Sequence, residues 1–385
     1  MEFDISWLLL GLPLAFFLGW AASRFDLRQW RLENRQAPKA YFKGLNFLLN
    51  EQQDQAIDAF IEAVQNDPDT SELHFALGNL FRRRGEYERA VRVHEHLLSR
   101  ADLSRTDRER AQHALALDFL KAGLLDRAEA ALQKLEGTPF ENQARLALLA
   151  IYERSRDWPQ AAAIAQRMDQ AGQGRFNTRQ AHYLCEDALS LAAKQAVPQA
   201  LELLAQARGI APDAPRAYIE AARLLAQQGQ HDQACDMLAQ LADVAPSHLA
   251  LAAQPWAASA QAQNRVAETL QRLEASYQEH PSLDVLEALV SLSQAQGASE
   301  ATARERYVQH LEREPSLVAA ARWIAGEKLA HEQFHPQVQR ALDHAAKPLT
   351  RYRCAACGFE AKQYFWQCPG CQSWDSYPAK RVEEL

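Results

Sequence analysis

Glycine and proline are scarce, 15 and 16 in 385 residues, and that scarcity argues against a turn-rich β fold and for helices. A basic excess is missing too: the formal net charge is −7 and the pI about 6.0, with no basic stripe or basic domain, so nucleic acid is not an expected partner. No phosphate-binding glycine loop, no nucleophile elbow and no paired-carboxylate site emerges along the chain. Nor do the six cysteines form a secreted disulfide framework: four crowd into residues 354–385, while Cys185 and Cys235 sit in helical patterns. That distribution reads as one metal site plus two buried thiols in a reducing compartment.

The longest uncharged run comes first. Residues 5–22 carry no charged side chain and, at about 1.5 Å per helical residue, cover roughly 27 Å, enough to span a bilayer core. Trp7 and Trp20 stand where interfacial aromatics belong, and Gly11 and Gly19 lie on one helix face. A cleaved signal peptide would begin with positive charge, whereas this chain begins with Glu2 and Asp4. Arg24, Arg28, Arg31, Arg35, Lys39 and Lys43 follow the run. Positive charge stays in the cytoplasm, so the sequence predicts a single-pass anchor over 1–23 with the N-terminus outside and the bulk of the chain cytoplasmic.

The middle of the chain repeats. Prolines recur at 212, 246, 281 and 315, in steps of 34, 35 and 34. A small residue recurs at Ala56, Ala90, Ala128, Ala161, Ala200 and Ala234. Gly78, Gly85, Tyr87 and Ala90 in one unit, and Ala56, Phe60, Ala63 and Pro68 in another, fit a helix–turn–helix repeat of about 34 residues, the tetratricopeptide (TPR) signature. Small residues let paired helices approach; one pair cannot bury its apolar face alone, so pairs stack. The predicted fold class is therefore all-α, a right-handed solenoid over 24–348. About eight units begin near 37, 71, 109, 142, 181, 215, 249 and 284. The first helix of each unit lines a concave face that binds peptides or proteins, with Phe75, Asn79, Arg82, His113, Arg216 and Arg223 as candidate contacts.

Residues 349–385 form the third region. Cys354 and Cys357 make one C-x-x-C pair, Cys368 and Cys371 another, and ten residues separate them, enough for a short hairpin. Four soft sulfurs select one zinc or one iron ion, and a closed four-thiolate site leaves no position for a substrate, which points to structure or recognition. Gly358 follows the first pair, where a positive φ suits a metal knuckle. With roughly 37 residues and the aromatics Tyr352, Phe359, Phe365, Trp366 and Trp374, the segment is too small for a core of its own and is expected to dock on the last repeats. One further motif, His331-Glu332-Gln333-Phe334-His335, matches H-E-x-x-H, but Pro336 disfavours helical geometry at His335, so hydrolase chemistry is the minor reading.

Anchor, TPR units and a Cys354/Cys357/Cys368/Cys371 tail, in that order, resemble the lipopolysaccharide assembly protein B family, over the whole chain. The family's tail is rubredoxin-like; here the spacing between pairs is shorter than in true rubredoxins, and Gln372 stands where glycine usually follows the second pair. The resemblance implies no enzyme activity of its own. It implies a regulator of lipopolysaccharide synthesis that works with the membrane protease FtsH to promote degradation of the deacetylase LpxC, alongside other inner-membrane regulators or assembly proteins. A general scaffold for lipopolysaccharide assembly enzymes, without protease delivery, is the alternative.

Overall fold

The computed structural model describes residues 13–21, 42–67, 69–327 and 332–385. Residues 13–21 are helical and expose Leu14, Phe16, Phe17, Leu18 and Trp20. They cover the second half of the predicted span; Trp7, Gly11 and the basic residues Arg24, Arg28, Arg31, Arg35 and Lys39 lie outside the described residues. Among the described residues no helix is long and apolar enough to cross a membrane.

The chain divides into two compact units, Met1–Arg154 and Ser155–Leu385. In the first, helix α1 (42–49) pairs with α2 (Gln53–Asn66), α3 (Ser71–Arg84) with α4 (Tyr87–Ser99), and α5 (Arg105–Ala122) with α6 (Leu125–Gln133), before α7 (Glu141–Ser155). Gly85 and Gly123 take left-handed φ of 84° and 76°, ending α3 and α5 where a side chain would be strained. In the second unit, α8 (Trp158–Gln170) leads into the pairs α9 (Asn177–Ala193) with α10 (Val197–Ile210), and α11 (Pro215–Gln227) with α12 (His231–Val244). A 3₁₀ turn over Pro246–Leu251 then precedes α13 (Ala253–Ala262) and α14 (Val266–Glu279), followed by α15 (Leu283–Ala295) with α16 (Glu300–Arg313).

A further pair, α17 (Leu317–Ala325) and α18 (His335–Ala346), extends the array beyond the eight expected. Pro336 hid it. Proline is a helix breaker inside a helix but is tolerated in the first turn, and here it is the second residue of α18.

Helix pairing rests on the recurring small residues. Ala56, Ala90, Ala128, Ala161, Ala200 and Ala234 are all fully buried. Gly78 is tighter still: a Cβ there would lie 2.5 Å from His94 Nε2. The ring cannot retreat, because His94 Nδ1 is hydrogen-bonded to the buried carboxylate of Asp118. Gly78→Ala therefore overpacks the α3–α4 crossing, and even after the gain in helix propensity it should cost about 1–3 kcal/mol. Faster amide exchange in α3 and α4, with other helices unchanged, is the expected reading; unchanged exchange would refute the packing argument.

Candidate metal centre

The tail starts with a minimal hairpin. Tyr352–Arg353 (β1) pairs antiparallel with Glu360–Ala361 (β2), in the register Tyr352 to Ala361 and Arg353 to Glu360. The first knuckle sits in its turn: Gly358 N–H donates to the Cys354 carbonyl at 2.9 Å, with Gly358 at φ +77°. The second knuckle repeats this bond, Gln372 N–H to the Cys368 carbonyl at 2.8 Å. Gln372 itself adopts φ 61°, so the left-handed position that glycine would normally fill is kept without glycine.

The two knuckles bring the four sulfurs within 4.8 Å of one another. Sγ of Cys354 and Cys371 are 3.8 Å apart, and those of Cys357 and Cys368 3.7 Å. A metal–sulfur bond of about 2.3 Å gives a tetrahedron with edges of about 3.8 Å, so the residues fit one zinc or iron ion. Cys354 and Cys368 are buried while Cys357 and Cys371 are exposed. Burial alone would push the Cys354 thiol up, but the Ser376 hydroxyl and the N–H groups of Cys357 and Ala356 outweigh it and bring the thiol down to about 6. Cys371 is lowered by the side chain and N–H of Ser373. Donors aimed at sulfur favour thiolate, the form that ligates metal. By contrast burial pushes Cys185 up to about 12 and Cys235 up to about 11, as expected of inert core thiols.

Around the sulfurs Tyr352, Tyr364, Phe365 and Tyr377 make a small apolar cluster that also takes Leu251 from the helix array. Docking on the array is wider than the last repeats. Trp374 stacks on His182 of α9 at 4.8 Å and meets Trp158 and Tyr183 edge-on. His182 Nε2 lies 2.8 Å from both carboxylate oxygens of Asp375. Arg216 of α11 donates to Glu186 and faces the rings of Trp366 and Trp374. At the far end, Arg381 makes a two-pronged pair with Asp284 of α15, both bonds 2.8 Å. Glu384 accepts from Leu283 N–H at 2.6 Å, and Glu383 accepts from the Ser316 hydroxyl and the N–H groups of Leu317 and Val318, capping α17.

Two of the six candidate contact residues therefore change role. Phe75 is 1% exposed and packs with Leu97 and Ala111, so it belongs to the core. Arg216 is 4% exposed beneath the tail, so its partner is this chain's own Trp366 and Trp374 rather than a second protein. His113 is half-buried, stacked on Phe140 at 4.8 Å. Arg223 is exposed near Glu220, and Asn79 and Arg82 are half-buried at the α3 surface. His182, Asp284, Asp375 and Arg381 were not singled out by the sequence. One signal was available: His182 and Arg216 are 34 residues apart and occupy equivalent places in successive units.

The H-E-x-x-H motif is not one helical face. His331 lies outside the described residues, Glu332 opens a 3₁₀ turn, and α18 begins at His335. His335 Nε2 is 3.0 Å from the Ile324 carbonyl. A carbonyl only accepts, so Nε2 carries the proton and cannot ligate a metal.

The family described as rubredoxin metal binding domain matches residues 352–377, and tetratricopeptide repeat families match 73–109 and 191–254. Over 377 residues the chain is 30% identical to lipopolysaccharide assembly protein B of Escherichia coli (strain K12), covering 96% of both. The chain belongs to the lipopolysaccharide assembly protein B family. The protein of the same name from Haemophilus influenzae is 28% identical over 404 residues, covering 97% of both chains. Among solved structures, that of Naa15/Naa10 bound to HypK-THB is similar at a TM-score of 0.41, with 13% identity, covering 82% of this chain and 48% of that one. The rubredoxin-type match falls on the four-cysteine knuckles and the TPR matches on the helix pairs, so family and geometry describe the same two parts.

Proposed function

We propose that the protein is an inner-membrane adaptor in lipopolysaccharide assembly that promotes FtsH-dependent degradation of the LpxC deacetylase. The observation that carries the reading is the full-length relationship to proteins named for lipopolysaccharide assembly. Geometry supports a binding role: stacked helix pairs present side-chain faces, and the four-cysteine centre gives all its ligand positions to protein sulfur. A single-pass anchor over 1–23, with the helix array cytoplasmic, belongs to the same proposal. Holding adaptor and membrane protease in one bilayer raises their effective concentration and multiplies apparent affinity by roughly 100-fold without a new contact.

LpxC half-life tests the proposal in cells carrying the full-length chain, a chain lacking 1–23, or one with an unrelated span in the same orientation, at matched expression. Depletion of the full-length chain should lengthen the half-life several-fold, as should loss of the anchor, and the swapped span should restore it in part. An unchanged half-life on depletion would favour a scaffold that gathers assembly enzymes without delivering any to a protease.

A further inference from the structure

In the first unit, α3 and α4 bring two histidines together. His74 lies one turn into α3 and His96 in the last turn of α4, and their ring centroids are 5.6 Å apart with planes tilted by 31°. The two rings are held differently. His74 is buried, and its Nδ1 is 3.1 Å from the Thr70 carbonyl. A carbonyl only accepts, so Nδ1 carries the proton of the neutral ring and Nε2 keeps its lone pair. Burial is the largest influence on this ring and lowers its affinity for a second proton, so it is neutral at pH 7. A carbonyl that orients one ring nitrogen and frees the other is the usual support of a metal-ligating histidine. His96 is exposed, and among the described residues its ring makes no hydrogen bond, so either nitrogen can turn towards a shared ion.

The separation suits one ion. With metal–nitrogen bonds of about 2.0–2.1 Å, each ring centroid lies about 3.2 Å from the metal, and two rings at the tetrahedral angle are then about 5.2 Å apart. Closing from 5.6 Å takes a small side-chain rotation at exposed His96. The surrounding charge is favourable as well. Asp67, Asp69 and Asp102 all lie close enough to Arg100 to act on its charge, and Asp67 and Arg100 both act on His74. Three carboxylates against one guanidinium leave two negative charges in excess around this corner, which a divalent cation offsets. Two of those carboxylates are already engaged: Asp67 accepts from the Thr70 hydroxyl at 2.5 Å, and Asp102 accepts from Arg100 at 3.1 and 2.5 Å. The protein therefore offers two nitrogens and leaves the remaining positions to water. Imidazole suits zinc, copper, nickel or iron, whereas calcium and magnesium take oxygen ligands.

We propose that His74 and His96 form a second metal site, at which one divalent transition-metal ion bridges α3 and α4. The site is separate from the four-cysteine centre and does not depend on the adaptor reading. The test is equilibrium dialysis of the full chain in phosphatidylcholine nanodiscs, its cysteine centre already loaded with zinc, against micromolar zinc. Two ions per chain are expected. His96→Ala, at an exposed position, should leave one ion and weaken binding of the second by roughly tenfold or more, and His74→Gln should do the same. Zinc should also slow amide exchange in α3 and α4 of the unaltered chain, because an ion bound to both helices opposes their separation, and should leave exchange in His96→Ala unchanged. Circular dichroism checks that each variant is folded, and His96→Ala decides the matter should His74→Gln disturb α3. One ion per chain in the unaltered protein, two in His96→Ala, or zinc-independent exchange in α3 and α4 would overturn the proposal. So would an equal loss on replacing His280, an exposed histidine of the second unit, since that result would mark an adventitious ion only. The dialysis reads nothing of lipopolysaccharide control, so its failure leaves the adaptor reading standing.

Discussion

Replacing Cys354 or Cys368 with serine will release the metal and unfold the tail while leaving the helix pairs intact. Both thiols are buried among Tyr352 and Tyr377, in a cluster of four buried residues, and the only regular secondary structure at the centre is a two-residue ladder. So little apolar area cannot hold a segment of this size against chain entropy. The metal must supply the difference; in comparable four-ligand peptides, apparent binding contributes about 10–16 kcal/mol at neutral pH. The cores of α9–α12 and α11–α16 are built from their own alanines and leucines, so far-ultraviolet dichroism should hardly change. The expected results are metal content falling from one ion per chain to near zero, rapid alkylation of the remaining three tail thiols, and amide protection lost across 352–377. A chelator should produce the same state from the unaltered chain. If metal-free protein keeps its tail protected and its thiols slow to react, the metal is an accessory rather than the scaffold of the tail.

The parts legible in the sequence are those that depend on local spacing. Six small residues recur at near-constant intervals because every helix crossing needs one, and all six prove fully buried. The cysteine pairs were readable because a knuckle is built within five residues, from Cys354 to Gly358 and from Cys368 to Gln372. What could not be read joins residues far apart in the chain. His182 and Asp375 are 193 positions apart, and Arg381 and Asp284 are 97 apart. No periodicity constrains such pairs. Arg216 illustrates the resulting error: its place on the first helix of a unit marks it as facing inward, but the sequence does not say that the tail already occupies that face. Phe75 fails differently, since position along a helix does not fix which of two neighbouring pairs a ring packs against, and here it is enclosed with Leu97 and Ala111.

Asp284→Ala should have the second-largest effect, and of a different kind: the tail will detach from α15 and α17 with its metal still bound. Asp284 and Arg381 are largely buried, with side chains 16% and 22% exposed, and their pairing is two-pronged. Burial opposes the charge on Arg381, while Asp284 favours it and keeps the guanidinium raised above its ordinary range. Removing the carboxylate leaves that cation to the Thr350 carbonyl and the face of Tyr352, 4.1 Å away. Breaking a fully buried pair costs about 3–5 kcal/mol; residual exposure here lowers the expectation to about 2–3 kcal/mol, a 30- to 150-fold loss in docking. Glu384 and Glu383 still reach the amino ends of α15 and α17, and Trp374 still stacks on His182, so detachment should be partial and confined to this end. Amide exchange should rise at Leu283, Leu317 and Val318, with metal content and thiol reactivity unchanged. Exchanging the charges, Asp284→Arg with Arg381→Asp, should recover part of the loss if the pair itself is responsible, which a double-mutant cycle measures. Unchanged exchange in Asp284→Ala would show that the pair contributes nothing to docking. Metal loss in that variant would show that the centre leans on the helix array for its fold, reversing the order of dependence argued from the cysteine substitutions.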